Sequence, residues 1–205
     1  MKAILIEDRP DRQRIFLPNN ENDIDVLKNI NDLYLPNGQD CKEIIYAINN
    51  EDYEFNDLNL IMIHKSSLTS KGINFLNKQS KEKKIATVYF SGSIDQLIYN
   101  NESFECLIIN SKEFYSFRLI PFIKNFVEDR NPHILELNNK DWKLSYMFLV
   151  KQLLQNRKIE KEEDEIYLLL KKIDKIKSLL GIKDKKDEEI EDYISKEIKQ
   201  IIVNL

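Results

Sequence analysis

Two adjacent carboxylates, Glu7 and Asp8, directly follow an apolar run near the start of the chain, in the sequence AILIEDRP. Carboxylate oxygens are the ligands that Mg²⁺ prefers, and a bound Mg²⁺ serves phosphoryl chemistry by neutralising charge. Two carboxylates supply only part of an octahedral shell, so we expect weak Mg²⁺ binding at most. The alternative is structural: the two acids cap the helix that follows, or they pair with Lys112.

Three further polar residues stand at or just beyond the ends of apolar runs. His64 follows LNLIMI, Ser91 follows KIATVYF, and Lys112 comes three residues after ECLII. His64 offers an imidazole for phosphorylation or metal binding, although the favoured interpretation is a non-reactive residue. Ser91 and Lys112 together offer a site for an anion. No catalytic set of Ser, His and Asp is evident from the sequence.

Short apolar runs predict the strands that would position these residues. They occupy residues 2–6, 58–63, 84–90 and 105–109, with a weaker candidate at 32–35. None of the four main runs alternates cleanly with polar residues, which is typical of parallel strands buried on both faces. Because the carboxyl ends of parallel strands meet at one edge of a sheet, we expect the polar residues at these ends to converge.

Helical patterns separate the predicted strands. We predict a helix over 40–50 with Asp40 as its N-cap and a second helix over 70–79. A third helical pattern, over 113–130, has Phe117 near helical spacing and contains Pro121, which would kink the helix or mark a start. Alternating strands and helices indicate an α/β fold, here a doubly wound parallel sheet of five strands.

The character of the chain changes after DRNPH at residues 129–133. Residues 141–205 contain no strand-like run, and their apolar residues recur at spacings of three and four, as in Ile166, Leu169, Ile173 and Ile176. This periodicity predicts about three amphipathic helices with narrow apolar seams. We therefore expect two parts, a domain over 1–130 and an all-α bundle or coiled-coil extension over 131–205.

Composition narrows the classes of function. The net charge of −4 argues against nucleic-acid binding by the whole surface. No run approaches the ~18 apolar residues of a membrane span, and no signal peptide is evident. Cys41 and Cys106 fit no metal-ligand spacing, so we expect free, buried thiols. These features favour a cytoplasmic protein, and the abundance of Lys, Asn and Ile favours a bacterial one.

The order of the polar residues resembles the receiver domain of bacterial response regulators over about residues 1–130. In that family two acids follow the first strand and a Pro stands two positions later, which Glu7, Asp8 and Pro10 match. The family's phosphoacceptor ends the third strand, where this chain has His64. The resemblance implies a flavodoxin-like fold and one pocket at the ends of the strands. Its residues in this chain are Glu7, Asp8, His64, Ser91 and Lys112.

Three departures from the family pattern bear on function. The resemblance places His64 where the family has the Asp that receives the phosphoryl group and completes the Mg²⁺ shell. Glu113 stands where the family usually has Pro, and Ile109 stands where active members often have an aromatic switch residue. The resemblance therefore implies a degenerate receiver without catalytic residues, because an imidazole is a poor ligand for Mg²⁺.

We accordingly expect a phosphorylation-independent pseudo-receiver that acts in signalling or regulation as a protein-interaction module. Its helical tail would bind a protein partner or a second copy of the chain, as in a homodimer. One alternative is an RNA- or DNA-binding regulator that uses the tail. Another is Mg²⁺-dependent binding or hydrolysis of a phosphorylated small molecule in the cleft at the strand ends.

Overall fold

The computed structural model describes residues 2–95, 97–100 and 103–138. These residues form a mixed α/β structure with a six-stranded sheet in the order β2-β1-β3-β4-β6-β5. The strands are β1 (Ala3–Ile6), β2 (Leu33–Tyr34), β3 (Leu60–His64), β4 (Ala86–Ser91), β5 (Ile98–Asn100) and β6 (Cys106–Asn110). The helices are α1 (Pro10–Phe16), α2 (Glu21–Lys28), α3 (Gly38–Asn49), α4 (Ser70–Lys83), α5 (Ser111–Phe114) and α6 (Leu119–Val127).

The predicted five-stranded parallel sheet is wrong in one respect. Five strands are parallel to their neighbours, but a sixth strand, β5, pairs antiparallel with β6 at the edge of the sheet. Only alternate residues of β5 are buried, with Tyr99 inside and Ile98 exposed. A three-residue strand at a sheet edge has too few apolar residues to be recognised as a strand in the sequence.

The interpretation of continuous apolar runs as strands covered on both faces is confirmed for β1, β3 and most of β4, but it is wrong for β6, where buried and half-buried residues alternate. Every residue of β1 and of β3 is buried, so neither face of these strands is open to solvent. One face of the sheet packs Ile4 and Ile63 against Ile44 and Ile48 of α3 and Leu76 of α4. A second group of contacting helices is formed by α1, α2 and α6, in which α2 touches both of the others, while α5 contacts β4 and β6.

Two details of the predicted helices are wrong. The N-cap of α3 is Asn37 and not Asp40, because the Asn37 side chain accepts hydrogen bonds from the backbone N–H groups of residues 39 and 40. The helical pattern over 113–130 forms two helices, α5 and α6, rather than one. Phe117 lies between these two helices with 74% of its surface exposed. Pro121 lies in the first turn of α6, where its missing N–H costs nothing.

Gly72 is required by the close approach of α4 to α3. A Cβ at this position would collide with Asn49 Oδ1 and would lie 3.2 Å from Asn49 Cα. The Asn49 side chain cannot turn away freely, since Oδ1 accepts the Thr69 N–H at 2.7 Å and Nδ2 donates to the Ser67 carbonyl at 3.2 Å.

We therefore expect Gly72→Ala to lower the free energy of unfolding by about 1–2 kcal/mol, since overpacking costs more than the helix propensity of Ala returns. Urea denaturation followed by circular dichroism measures this change. Gly92→Ala is the matched control, because no atom lies within 4 Å of the position its Cβ would take. Equal stability of the two variants would contradict the packing argument.

The residues that follow α6 still pack against the rest of the domain. A 3₁₀ turn over Ile134–Leu137 contacts α6 and buries Ile134, Leu135 and Leu137. The helical extension predicted for 131–205 lies outside the described residues from residue 139 onward, so both it and the boundary at residue 130 stay predictions.

None of the helices in the described ranges is long and apolar enough to cross a membrane. The two cysteines are free thiols as expected, with Cys41 buried and Cys106 half-buried rather than buried. Burial raises the pKa of each thiol to about 12, so neither is a reactive thiolate at neutral pH.

Candidate functional site

Glu7, Asp8 and His64 meet at the carboxyl ends of β1 and β3. The two strands are parallel neighbours with Ile6 paired to Ile63, so Glu7 follows β1 at the level where His64 ends β3. One ligand atom from each of the three side chains lies within 4.8 Å of the other two. The convergence follows from the parallel register, because both strands end at the same edge of the sheet.

The His64 ring is fully buried, and both of its nitrogen atoms have partners. Nδ1 lies 2.6 Å from Asp8 Oδ1 and 3.8 Å from Glu7 Oε1. Nε2 contacts the Arg12 guanidinium and lies 2.9 Å from Ser66 Oγ. A guanidinium has only donors, so Nε2 accepts and Nδ1 carries the proton donated to Asp8. The ring also stacks on Phe90 at a centroid distance of 5.8 Å.

Glu7 is held below the surface by two donors. Its Oε1 accepts the Arg9 backbone N–H at 2.9 Å, and its Oε2 accepts the Tyr115 hydroxyl at 3.0 Å. Burial raises the pKa of Glu7 above its ordinary value, and these hydrogen bonds and the nearby His64 only partly oppose that effect. Glu7 therefore takes up a proton more readily than an exposed glutamate.

Asp8 is shifted in the opposite direction. Its partial burial raises the pKa, but the interactions of the carboxylate, the hydrogen bond from His64 foremost, outweigh burial and bring the pKa of Asp8 below its ordinary value. The two adjacent carboxyls are therefore different: Asp8 is held ionised against His64, while Glu7 is buried under Tyr115.

Ser91 and Lys112 are not brought into this cluster. His64 pairs in register with Phe90, and successive side chains of a strand point to opposite faces, so Ser91 points away from the face of His64. The Ser91 hydroxyl instead lies 3.2 Å from Ser93 Oγ. Lys112 lies exposed in α5, and within the described ranges no carboxylate oxygen is within 4 Å of its ammonium group.

Three residues that contact His64 or Glu7 were not among the site residues predicted from the sequence. They are Arg12, Ser66 and Tyr115. Arg12 lies in the first turn of α1, four residues after Asp8, but nothing in the sequence distinguishes it from Arg9 and Arg14. Ser66 is one of three serines in KSSLTS. Tyr115 reaches Glu7 across 108 residues of chain, and no local pattern indicates such a contact.

The donor set does not fit the Mg²⁺ ion that the family resemblance implies. Glu7, Asp8 and His64 are close enough to share an ion, but Mg²⁺ requires oxygen ligands in octahedral geometry. Here Nδ1 uses its proton to bind Asp8, and the Arg12 guanidinium already supplies a positive charge against Nε2. A dication would have to displace both contacts.

The Tyr115 hydroxyl is a buried partner whose removal tests this arrangement. Tyr115→Phe leaves Glu7 Oε2 without its donor in a buried site, and we expect a loss of about 1–3 kcal/mol in the free energy of unfolding. Chemical denaturation measures the loss. Tyr46→Phe, at a side chain that is 72% exposed, is the control and should change stability by less than about 0.5 kcal/mol. If Tyr115→Phe leaves the free energy of unfolding unchanged, the hydrogen bond from the Tyr115 hydroxyl to Glu7 Oε2 is contradicted.

No protein-family model, no curated protein and no solved structure matches this chain.

Proposed function

We propose that this protein is a pseudo-receiver, a receiver-like domain that serves signalling or regulation as a phosphorylation-independent protein-interaction module. The observation that carries the proposal is the state of His64, which is fully buried and bonded at both ring nitrogens. It stands at the end of the third strand along the chain, where a receiver has its phosphoacceptor carboxylate.

The order of the strands supports a receiver-like scaffold. The five parallel strands run in the order β2-β1-β3-β4-β6, and β5 is added at the edge beyond β6. The acid pair, His64 and Ser91 follow or end β1, β3 and β4 in turn. This arrangement is compatible with a flavodoxin-like receiver that carries one additional edge strand.

The contacts of the pocket support independence from phosphorylation. In an active receiver a cation joins the acid pair to the phosphoacceptor. Here the proton on His64 Nδ1 takes that place against Asp8, and Arg12 supplies the positive charge. A pocket whose charges are balanced by its own side chains has no requirement for Mg²⁺ or for a phosphoryl group.

Acetyl phosphate and a beryllofluoride reagent, each with Mg²⁺, test the proposal. We expect no increase in intact mass with acetyl phosphate, and no change in the amide NMR spectrum with beryllofluoride. An active receiver treated in parallel shows that the reagents work. A stable phospho-adduct on the protein would contradict the proposal directly.

Self-association through residues 131–205 is the second part of the proposal, and it is supported by the apolar seams of that sequence. Light scattering of the full chain is expected to give the mass of a homodimer. If the protein is a monomer at all concentrations, self-association through residues 131–205 is contradicted. The remaining proposal is then that these residues bind a different protein, which a pull-down from the native host would identify.

A further inference from the structure

Ser66 completes a chain of three hydrogen-bonded side chains that leads from the interior to the surface. It lies in the 3₁₀ turn Lys65–Ser67 directly after β3, and its hydroxyl is 2.9 Å from His64 Nε2. His64 Nδ1 is in turn 2.6 Å from Asp8 Oδ1. His64 is fully buried, whereas Ser66 is exposed to solvent.

This connectivity is that of a nucleophile, a general base and an orienting carboxylate. Asp8 accepts from Nδ1, which fixes the tautomer of the ring and leaves Nε2 as the acceptor that the Ser66 hydroxyl and Arg12 share. The geometry is set by two buried strands, since His64 is the last residue of β3 and Asp8 lies two residues beyond the end of β1.

We propose that Ser66, His64 and Asp8 form a nucleophilic triad that cleaves esters carrying an anionic group. Ser66 is the nucleophile, His64 is the general base, and Asp8 is a positioning residue. This activity goes beyond the proposed interaction function and does not depend on a protein partner.

Arg12 indicates the charge of the substrate. Its guanidinium is half-exposed and contacts His64 Nε2, and its second contact is Ser111 Oγ at 3.5 Å. Within the part of the chain that the structure describes, no carboxylate oxygen lies within 4 Å of it. An imidazole nitrogen has one lone pair, so Arg12 and Ser66 compete for Nε2. An anionic group on the substrate draws Arg12 away and leaves the lone pair to Ser66.

The reaction balances with water as the co-reactant. Ser66 Oγ forms a bond to the carbonyl carbon while its proton moves to His64 Nε2, and the ester C–O bond breaks as that proton passes to the leaving alkoxide. Water then gives a proton to Nε2 and attacks the acyl carbon. Cleavage of the acyl–Oγ bond releases the acid, and Ser66 regains its proton.

A fluorophosphonate probe tests the nucleophile on the full chain. Its phosphorus forms a bond to Ser66 Oγ, the P–F bond breaks, and fluoride leaves with the proton taken up by His64. We expect one adduct per chain, located on Ser66 by mass spectrometry and formed slowly in the wild type, because a neutral probe leaves Arg12 in competition for Nε2. Ser66→Ala should abolish the adduct. Ser103→Ala, at another exposed serine, is the matched control and should leave it unchanged.

Two further variants separate the roles of Arg12 and Asp8. Arg12→Gln should label at least as fast as the wild type, because the probe is neutral and the competitor for Nε2 is removed. Asp8→Asn should be labelled at least about 100-fold more slowly than the wild type. The reason is that an Asn amide donates to Nδ1, so the ring proton moves to Nε2 and the base is lost. The ¹⁵N shifts of the His64 ring should report that inversion, which a merely structural role of Asp8 would not produce.

The triad is overturned if neither the wild type nor Arg12→Gln is labelled under conditions that fully label an authentic serine hydrolase. An adduct that survives Ser66→Ala overturns it equally. Neither result bears on the pseudo-receiver proposal, which is decided separately by acetyl phosphate and Mg²⁺.

Discussion

Replacing His64 with Ala is expected to lower the free energy of unfolding by about 3–5 kcal/mol, the largest loss for any substitution in the pocket. The ring is fully buried, donates to Asp8, accepts from Arg12 and packs on Phe90. Its removal leaves a cavity, and the Asp8 carboxylate loses the Nδ1–H donor of His64 while it stays next to Glu7. Equilibrium urea denaturation at pH 7 measures the loss.

Ser91→Ala is the matched control for this variant. Ser91 ends the neighbouring strand at the same edge of the sheet and is also buried, but among the described residues its hydroxyl forms hydrogen bonds with Ser93 alone. We expect its loss of stability to stay below about 1 kcal/mol. If the two variants are equally stable, His64 does not hold the acid pair, and the support for a self-contained pocket is lost.

Acidification is expected to destabilise the protein through His133, the second histidine. Burial lowers the pKa of His133 from its ordinary 6.5 to about 4. Above pH 6.5 the ring is neutral in both states and costs nothing. As the pH falls below 6.5 the unfolded chain takes up a proton that the folded chain refuses, so stability is lost down to about pH 4. The expected loss is about 2–3 kcal/mol at pH 4.5.

Neighbouring groups make a differential measurement necessary. His133 Nε2 lies 3.4 Å from Glu105 Oε1 and 3.3 Å from the Tyr99 hydroxyl. Burial raises the pKa of Glu105, so its contribution has the opposite sign and strengthens the fold as the pH falls. The stability of the wild type alone would mix the two effects.

His133→Asn isolates the contribution of the histidine. An Asn oxygen can accept the Leu135 N–H that His133 Nδ1 accepts at 3.2 Å, so the turn over Ile134–Leu137 keeps its cap. Relative to this variant, the wild type should lose stability steadily between pH 7 and pH 4.5 in thermal denaturation. Parallel pH profiles of the two proteins would contradict a buried, neutral His133.

Local patterns predicted most of the fold. The runs at 2–6, 58–63, 84–90 and 105–109 overlap the four long strands within two residues at each end. They were recognisable because a strand covered on both faces must be apolar throughout, which β1 and β3 satisfy. The edge strand β5 was missed, because its three residues owe their pairing to β6 and carry no such signal.

Helix ends were predicted less well than helix positions. The N-cap of α3 was assigned to Asp40, although Asn37 caps the helix and Asp40 accepts a hydrogen bond from its side chain at 2.6 Å. Both residue types favour caps, and the choice depends on which backbone N–H groups are left open. The pattern over 113–130 counted Phe117 with the apolar residues at helical spacing, but Phe117 lies exposed between α5 and α6. Pro121 lies in the first turn of α6, in agreement with the prediction that it marks a helix start.

The apolar runs predicted that Glu7, Asp8 and His64 would meet, because such runs indicate parallel strands and parallel strands end at one edge of a sheet. The same argument placed Ser91 and Lys112 in that cluster, so the pattern alone did not select its members. What surrounds the three residues depends on tertiary packing. The pleat turns Ser91 to the other face, and the chain brings Arg12, Ser66 and Tyr115 to the two acids and the imidazole. Contacts between distant segments depend on how helices and turns pack on the sheet. A hydrophobic period shows which face of a helix is buried, but it does not show which distant residue that face will contact.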